Sequence, residues 1–493
     1  MPQAVLSSGP SDSDPGRTLG ARACAALIVG NIVGMGIFLT PSEVAAACGS
    51  GWAYLGHWLL GGLVAAAGAL AVAELGVLFP HGGGDYLYLD RAFGRPVAFA
   101  WGWLSFVCSF SASIAALSVG ASQTLAATSI GHGLADPLFA VGGVVVHGTN
   151  VLSLLLVVAA TLFNASSVRF VGRLQMVLSL GVLAAFAVIV VATFARDDLS
   201  VFTALQARQL PSSPGLSGLS VAMCAVFFTY TGWNVLTYVA GDIRRPGRTI
   251  PLAVVVAVGG VTVLYAAVNL SFLVGLSLPA LAATPNAGVA LAQKLFGARG
   301  ADIFGVIVFL AILAGINATV MAGSRVAQAM ATDGLLWRRM AIMHPTRRTP
   351  VGALVGQAVL ASALVLTGSF AFLVTLSGAV MILLSGLTVA TLFVFRRRDR
   401  MRIGPRLTGY PWLPALYLAF VLMVLIVLGG GEWQSLLGGL AVFGGLALGY
   451  RLRRGAGPAG NGPPTHARST APVRAAVLLA ALAAIGATAP TEA

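Results

Sequence analysis

The chain has 493 residues, of which 58% are hydrophobic and 9% are charged, and its formal net charge is +14. Soluble domains carry roughly a quarter charged residues, so this composition excludes a soluble globular protein and indicates one that folds in the lipid bilayer. The positive charge does not indicate nucleic-acid binding, because the arginines lie in short clusters between long apolar runs.

The chain begins with a polar stretch, residues 1–20, that is rich in Ser, Pro and Asp. It lacks the apolar core of a signal peptide and is predicted to be a disordered cytoplasmic tail. The remaining chain contains about twelve apolar runs of the roughly 20 residues that a helix needs to cross the hydrocarbon core. In chain order these predicted spans cover residues 22–46, 53–79, 96–125, 141–163, 173–195, 217–240, 250–276, 301–325, 350–368, 370–395, 411–430 and 433–450.

The distribution of basic residues gives these spans an orientation. The predicted outer loops contain Arg196, Arg208, Lys294 and Arg299, and the other basic residues fall in predicted cytoplasmic segments. Because Lys and Arg concentrate in cytoplasmic loops, both termini are predicted to lie inside a cell membrane, such as a bacterial inner membrane. The end of the chain, residues 451–493, is predicted to be a cytoplasmic tail. Its Ala-rich segment, 475–490, leaves a thirteenth span, a surface helix and a free tail open.

Two of the spans contain residues that interrupt a helix. Span 1 includes GNIVGMGIFLTP, with three glycines and a proline, and span 6 includes the polar run TYTGWN. Small residues that allow close helix packing are one explanation. Interruptions in corresponding positions of two halves are typical of inverted-repeat transporters, whose broken helices bind substrate near the midplane. The free N–H groups of such breaks suit a carboxylate and the free carbonyls suit an ammonium, so a zwitterion fits both.

Motifs of other functional classes are missing from the sequence. It contains no HExxH, no GxSxG and no cluster of Cys and His, so neither an enzyme nor a metal site is predicted, and no cofactor is expected. The phosphate-binding loop of an ATP-driven pump is also missing. A non-transporting membrane sensor with the fold of a transporter remains an alternative.

Five segments of the chain resemble one family in the expected order. They are GNIVGMGIFLTP; ELGVLFPHGGGDYLYLDRAFGRPVAFAWGW; FFTYTGWNVLTYVAGDIRRPGRTIPLAV; SRVAQAMATDGLLW followed by HPTRRTPVGALV; and LFVFRRRDR followed by GYPWLPALY. Over most of residues 20–450 the chain is similar to the amino acid–polyamine–organocation (APC) superfamily, in particular its L-amino acid transporter and bacterial amino acid permease branches. The resemblance implies an all-α LeuT-type fold and alternating access. The two inverted repeats would be residues 21–195 and 217–395, and residues 411–450 would add two helices.

The resemblance also implies substrate-binding residues. The motif of span 1 implies that the substrate carboxylate is surrounded by Val33, Gly34, Met35 and Gly36. The motif of span 6 implies that Phe228 is a gate, and that the ammonium and side chain of the substrate are lined by Thr231, Gly232 and Asn234. Met35 stands where the family usually has Ser, so only backbone contacts to the carboxylate are expected there.

The acidic residues bear on the choice of substrate. Glu43 lies near the outer end of span 1 and Glu74 near the inner end of span 2, and no acidic residue falls at a predicted midplane. Since a buried cation needs a counter-charge, a small neutral amino acid is favoured, and exchange of arginine or a polyamine remains the alternative. Glu43, Glu74 and Val182, which stands where many family members have Lys, are candidates for coupling. A counter-substrate, a proton and sodium all stay open as the coupling partner.

Overall fold

The computed structural model describes residues 19–34, 36–79, 84–141, 144–165, 168–196, 200–208, 215–238, 240–284, 286–347, 349–367, 370–398, 409–427 and 445. Met35, nearly all of predicted span 12 and nearly all of both predicted tails lie outside these residues, as does the segment 475–490.

Most of the described residues are helical. The helices are α1 (Ala21–Ile32), α2 (Gly36–Ala47), α3 (Gly51–Leu78), α4 (Gly84–Phe93), α5 (Arg95–Leu104), α6 (Ala112–Ala126), α7 (Gly148–Asn164), α8 (Val168–Phe194), α9 (Val201–Gln206), α10 (Gly215–Tyr230), α11 (Val235–Tyr238), α12 (Pro246–Leu276), α13 (Leu278–Ala282), α14 (Ala287–Thr332), α15 (Arg338–Ala341), α16 (Val351–Thr367), α17 (Phe370–Arg398) and α18 (Trp412–Val427). A π-helical turn, Ser105–Ser111, joins α5 to α6, and two strands are β1 (Pro137–Val141) and β2 (Val144–His147).

Several helices have the length and composition of membrane spans. Within the described residues, five are long and apolar enough to cross a bilayer, and the bent pair of α1 and α2 would be a sixth. Shorter apolar helices lie at Gly148–Asn164, Leu180–Phe194, Val351–Leu366 and Trp412–Val427. A chain with several such helices is a multi-pass membrane protein.

The region before span 4 differs from the prediction. β1 and β2 form an antiparallel hairpin with Phe139 opposite Val146, so a small sheet interrupts the predicted all-α fold. Helix α7 begins at Gly148, so the predicted start of span 4 at residue 141 is wrong. The reason is local: Val144, Val145 and Val146 are β-branched, which favours a strand over the end of a helix.

The start of span 8 is also different. Helix α14 begins at Ala287, before the predicted span at 301–325, and is interrupted at Gly297, whose φ is 73°. The part before Gly297 belongs to the predicted outer loop. The single lysine, Lys294, lies in this part and its ammonium donates to the Gly275 carbonyl near the end of α12 at 2.5 Å. A cation at a helix C-terminus compensates the negative end of the helix dipole.

The two interrupted spans lie next to each other in the interior of the helix bundle. Helix α12 packs against α3 and α1, and α10 packs against α2. Aromatic side chains of α3, α10 and α12 form a cluster there, in which the Tyr265 ring lies 5.0 Å from the Tyr230 ring and 6.1 Å from the Trp58 ring, measured between centroids. Small residues allow the close approach that helices in lipid require: a Cβ on Gly61 would meet Val226.

Candidate functional site

The first site element is the break in span 1. Helix α1 ends at Ile32, α2 begins at Gly36, and the two helices are bent by 52°. Such a break leaves the last carbonyls of α1 and the first N–H groups of α2 without partners inside their own helices. The negative end of one half-helix therefore lies beside the positive end of the other, as the glycines in the sequence predict.

The second site element is the break in span 6. Helix α10 ends at Tyr230 and α11 begins at Val235. Between them Gly232 has a φ of +111°, which side chains other than glycine rarely adopt. The Thr231 hydroxyl donates to the Phe228 carbonyl at 2.6 Å, so it satisfies one of the free carbonyls at the end of α10.

The two breaks meet each other. Asn31 Nδ2 donates to the Gly232 carbonyl at 2.9 Å. Gly36 lies directly against Thr229, because a Cβ on Gly36 would be 2.6 Å from Thr229 Oγ1 and 2.7 Å from Thr229 Cα. The hydroxyls of Thr40 and Thr229 share a hydrogen bond of 2.8 Å. The interrupted parts of spans 1 and 6 therefore form one joint in the middle of the helix bundle.

Several residues of the joint are partly exposed. Asn31, Gly34, Thr231, Gly232 and Asn234 are each half-buried, whereas the intervening Ile32, Val33 and Trp233 are buried. Polar groups inside a membrane protein are tolerated where they line a cavity. The half-buried residues are therefore the candidate lining of a binding site.

The other predicted residues of spans 1 and 6 lie around this joint. Val33 and Gly36 are buried, and Met35 lies outside the described residues. Phe228 is buried beside span 10, where a Cβ on Gly378 would be 3.9 Å from the Phe228 Cβ. Val33, Gly36 and Phe228 thus lie next to the half-buried residues in the two spans.

Asn234 has a partner that the sequence does not predict. Its Nδ2 donates to Asp85 Oδ2 at 2.9 Å, and the Tyr238 hydroxyl donates to the same oxygen at 3.3 Å. Asp85 lies in α4, the short helix of the loop between spans 2 and 3. In this structure the amide of Asn234 therefore ties the broken part of span 6 to that loop.

The environment of Asp85 is unusual for a carboxylate. Burial raises the pKa of Asp85 to about 6, and the hydrogen bonds from Asn234 and Tyr238 act in the opposite direction. Its second oxygen, Oδ1, is buried and has no hydrogen-bond partner in the described part of the chain. A buried carboxylate with one oxygen unpaired binds a proton more readily than a solvated one.

The three coupling candidates have different surroundings. Glu74 accepts from Arg396 Nε at 2.6 Å and forms a buried ion pair with that guanidinium. Glu43 is half-buried in α2, and Val182 is buried in α8. Phe38 of α2 stacks on Phe186 of α8 at 4.8 Å between centroids, so span 5 contacts the half of span 1 that follows the break.

Several residues of the joint were not predicted from the sequence. Asn31 stands beside the glycines of span 1 and could have been found as a polar residue in an apolar run. Thr229 was noted only as part of the polar run of span 6. Tyr265 carries no such signal, yet its hydroxyl donates to the Ile32 carbonyl at 2.9 Å and reaches the Thr229 carbonyl at 3.4 Å.

Known proteins match the chain along most of its length. Residues 19–437 match the model of the family described as "Amino acid permease". The chain is 29% identical to the "Large neutral amino acids transporter small subunit 2" of Mus musculus over 428 residues, which cover 86% of this chain and 78% of that protein. It is 29% identical to the "Asc-type amino acid transporter 1" of Mus musculus over 413 residues, covering 83% and 76% of the two chains. It is 27% identical to the "Serine/threonine exchanger SteT" of Bacillus subtilis (strain 168) over 413 residues, covering 83% and 90%. The chain therefore belongs to the amino acid permease family of the APC superfamily.

Proposed function

We propose that this protein is a secondary active transporter that moves small neutral amino acids across the membrane by alternating access. The observation that carries the proposal is the joint of two broken spans, in which Asn31 of span 1 is bonded to Gly232 of span 6. The names of the relatives support the substrate class, since they include transporters of neutral amino acids and an exchanger of serine and threonine.

The proposal includes a LeuT-type arrangement of twelve spans in a cell membrane, with both termini inside, as in a bacterial inner membrane. The inverted repeats would comprise residues 21–195 and 217–395, and residues 411–450 would form two additional spans. Breaks in the first and the sixth span support this arrangement, because corresponding helices of two repeats would both be interrupted.

The substrate would bind through backbone groups of the joint. The N–H groups of the break in span 1, those of Val33, Gly34, Met35 and Gly36, would hold the carboxylate at the positive end of α2. Carbonyls at the ends of α1 and α10 would hold the ammonium, and Thr231 and Gly232 would lie beside the side chain. Phe228 would gate the site, and Asn234 would act at its inner end through Asp85.

A neutral substrate agrees with the polar groups at the joint. Asn31, Thr229 and Thr231 are uncharged, and the carboxylate of Glu74 already compensates Arg396. A cationic side chain would need a counter-charge of its own inside the bundle. For coupling, exchange against a second amino acid is supported by the name of the bacterial relative; a proton or sodium, with Glu43, Glu74 or Val182 at the coupling position, is the alternative.

Uptake by the purified protein in liposomes tests the proposal. Vesicles are loaded with an unlabelled neutral amino acid, and entry of labelled serine, threonine or leucine is measured with and without sodium and at two pH values. We expect uptake of neutral amino acids, with weak competition from an excess of arginine or agmatine. Strong inhibition by arginine or agmatine would instead favour the cationic exchanger, and vesicles that take up neither class would favour a sensor.

A further inference from the structure

We propose that Asp85 is a proton-binding site that controls the movement of span 6: the charged carboxylate holds the broken part of this span against α4, and a bound proton releases it. Asp85 lies in the loop between spans 2 and 3, outside the joint of the two breaks, and its role as a proton site rests on the transport function proposed above.

Helix α4 bridges span 6 and span 8. Asp85 Oδ2 accepts from Asn234 Nδ2 at 2.9 Å and from the Tyr238 hydroxyl at 3.3 Å, in the part of span 6 that follows Gly232. The next residue of α4, Tyr86, donates its hydroxyl hydrogen to Oδ2 of Asp333, the residue after α14, at 2.8 Å. Helix α4 also packs against α5 and α17. Span 6 therefore cannot move relative to span 8 unless one of these contacts breaks.

The charge of Asp85 decides how firmly its contact with span 6 holds. Asp85 is 5% exposed, and its Oδ2 receives hydrogen bonds from Asn234 and Tyr238. Separation of span 6 from α4 would remove both donors from a buried carboxyl, which is far more costly for a charged acceptor than for a neutral one. Hydrogen bonds to the charged form are also roughly twice as strong. The charged state therefore holds span 6, and protonation permits separation.

The carboxyl has a free position for the proton. Asp85 Oδ1 is buried and accepts no hydrogen bond in the described part of the chain, so a proton can bind there without displacing Asn234 or Tyr238. Burial raises the pKa of Asp85 to about 6, although the two hydrogen bonds act in the opposite direction. Asp85 therefore changes its charge in a pH range where ordinary aspartates stay charged.

Other titratable groups lie around this carboxylate. Tyr88, Tyr238 and Tyr417 are within electrostatic range of Asp85, but phenols stay neutral below pH of about 9. The amide of Asn234 does not titrate. The other charged residues on α4 and on its neighbours α5 and α17 are Asp90, Arg91, Arg95, Arg396, Arg397 and Arg398, of which Arg396 pairs with Glu74 of α3. Among the groups in hydrogen-bond contact with the Asp85 carboxylate, only the carboxylate itself changes charge between pH of about 5 and about 8.

The simpler explanation is that Asp85 is a structural acceptor in one charge state. In that case Asp85→Asn weakens a contact, slows transport and leaves its pH dependence unchanged. The proton site gives the opposite expectation, because an amide at position 85 can still accept from Asn234 but carries no charge, like the protonated carboxyl. Asp85→Asn should then transport faster than the wild type at alkaline pH, where the wild type is charged.

The experiment measures the maximal rate of exchange in liposomes that contain the full-length protein, with equal pH inside and outside. The substrate is the one that the wild type exchanges fastest among serine, threonine and leucine. We expect the wild-type rate to rise about tenfold as the pH is lowered from about 8 to about 5, because two hydrogen bonds become weaker. The midpoint should lie near the Asp85 pKa of about 6. Asp85→Asn should keep the high rate at every pH.

Tyr238→Phe supplies a second measurement. It removes one donor that stabilises the charged form of Asp85 at 3.3 Å, so the proton should bind more readily. The midpoint of the pH profile should move upward by about half a unit. The matched control is Asp302→Asn in α14, where Oδ1 accepts from the Ser129 N–H at 2.8 Å and an amide oxygen can accept the same bond. This control should keep the wild-type profile.

A wild-type pH profile in Asp85→Asn, or a rate below that of the wild type at alkaline pH, would show that Asp85 has a structural role alone. An unshifted midpoint in Tyr238→Phe, or an equal loss of pH dependence in Asp302→Asn, would also overturn the proton site. A wild type that exchanges neutral amino acids at one rate over the whole pH range would overturn the proton site and leave the proposed function intact. A wild type that exchanges no neutral amino acid would instead overturn the proposed function itself.

Discussion

Asn31 and Gly232, one residue from each broken span, are joined by a hydrogen bond of 2.9 Å from the side-chain amide to the carbonyl oxygen. The contact is tight on both sides, because a Cβ on Gly232 would lie 2.7 Å from the amide nitrogen and from the backbone oxygen of Asn31. Gly232 also has the positive φ of +111° that a side chain would make costly. The breaks are therefore connected, and we expect spans 1 and 6 to move as one unit during transport.

Asn31→Asp should disconnect this unit. The side chain keeps its shape, but an acceptor replaces the donor that faces the Gly232 carbonyl, so attraction becomes repulsion. We expect a loss of at least tenfold in the uptake of neutral amino acids and a lower midpoint of thermal unfolding, since a broken hydrogen bond of this kind costs about 1–3 kcal/mol. Both quantities can be measured on the purified protein.

A matched control for this change is Asn150→Asp. The Oδ1 of Asn150 accepts from the His147 N–H at 2.9 Å at the start of α7, and a carboxylate can still accept there. That variant should transport like the wild type. Equal uptake by the Asn31 and Asn150 variants would mean that the link between the breaks is dispensable.

Gly36→Ala should abolish transport through packing alone. The added methyl would approach the backbone of Thr229 to 2.7 Å, so spans 1 and 6 must separate at the joint. Strain of this kind in a packed interior costs about 1–3 kcal/mol, which displaces the joint without unfolding the bundle. The control is Gly259→Ala in α12, where no atom lies within 4 Å of the added Cβ and full transport is expected. Normal uptake by Gly36→Ala would show that the two spans can separate at this point without loss of function.

The breaks could be predicted from the sequence because lipid makes them conspicuous. Glycines, a proline and a polar run are unfavourable in an apolar helix unless they serve a cavity, so their presence in spans 1 and 6 indicated a site. Tyr265 could not be found in the same way. It acts on backbone carbonyls, and the identity of the residues that carry those carbonyls gives no indication of a partner.

A second limit on prediction from the sequence is that hydrogen-bond partners can be distant along the chain. Asn234 was interpreted as a residue that lines the substrate, but its amide is bonded to Asp85, which lies 149 positions away. The start of span 4 shows a third limit. The valines of β2 are as apolar as the residues of a membrane-spanning helix, so hydrophobicity alone does not distinguish the strand from the start of a helix. Helix breaks are local features of composition, whereas the contact between Asn234 and Asp85 depends on the assembled chain.

Asn234→Asp should place a second carboxylate where the Asn234 amide now lies 2.9 Å from Asp85. Two carboxylates at this distance cannot both be charged, so the pair must share a proton or separate. We therefore expect weak transport at alkaline pH and a recovery relative to the wild type as the pH falls. The exchanged double variant, Asp85→Asn with Asn234→Asp, restores one amide and one carboxylate and should recover transport at all pH values. A gain of arginine transport without any pH dependence would mean instead that Asn234 faces the substrate.

Asp85 should also make the stability of the protein depend on pH. Because burial raises its pKa to about 6, the folded protein binds this proton more tightly than the unfolded chain, whose Asp has a pKa of about 3.9. The stabilisation is complete below that ordinary value and is lost as the pH rises through the folded value. Between pH of about 4 and about 6, the unfolding midpoint of the wild type should fall relative to that of Asp85→Asn, which cannot titrate. A constant difference between the two midpoints would show that Asp85 stays in one protonation state over this range.

Variants of the ion pair between Glu74 and Arg396 can distinguish a structural role of Glu74 from a role in coupling. The side chains are 5% and 7% exposed, so Glu74→Gln removes one charge of a buried ion pair, at a cost of about 3–5 kcal/mol. We expect that variant to unfold at a lower temperature and to yield little folded protein. In the double variant, Glu74→Met with Arg396→Met, both charges are gone, and replacement of a buried pair by apolar residues is often neutral. It should recover both the unfolding midpoint and the exchange of neutral amino acids. A double variant that recovers its stability but no longer transports would instead assign Glu74 to the coupling step, because its carboxylate would then be needed for more than the neutralisation of Arg396.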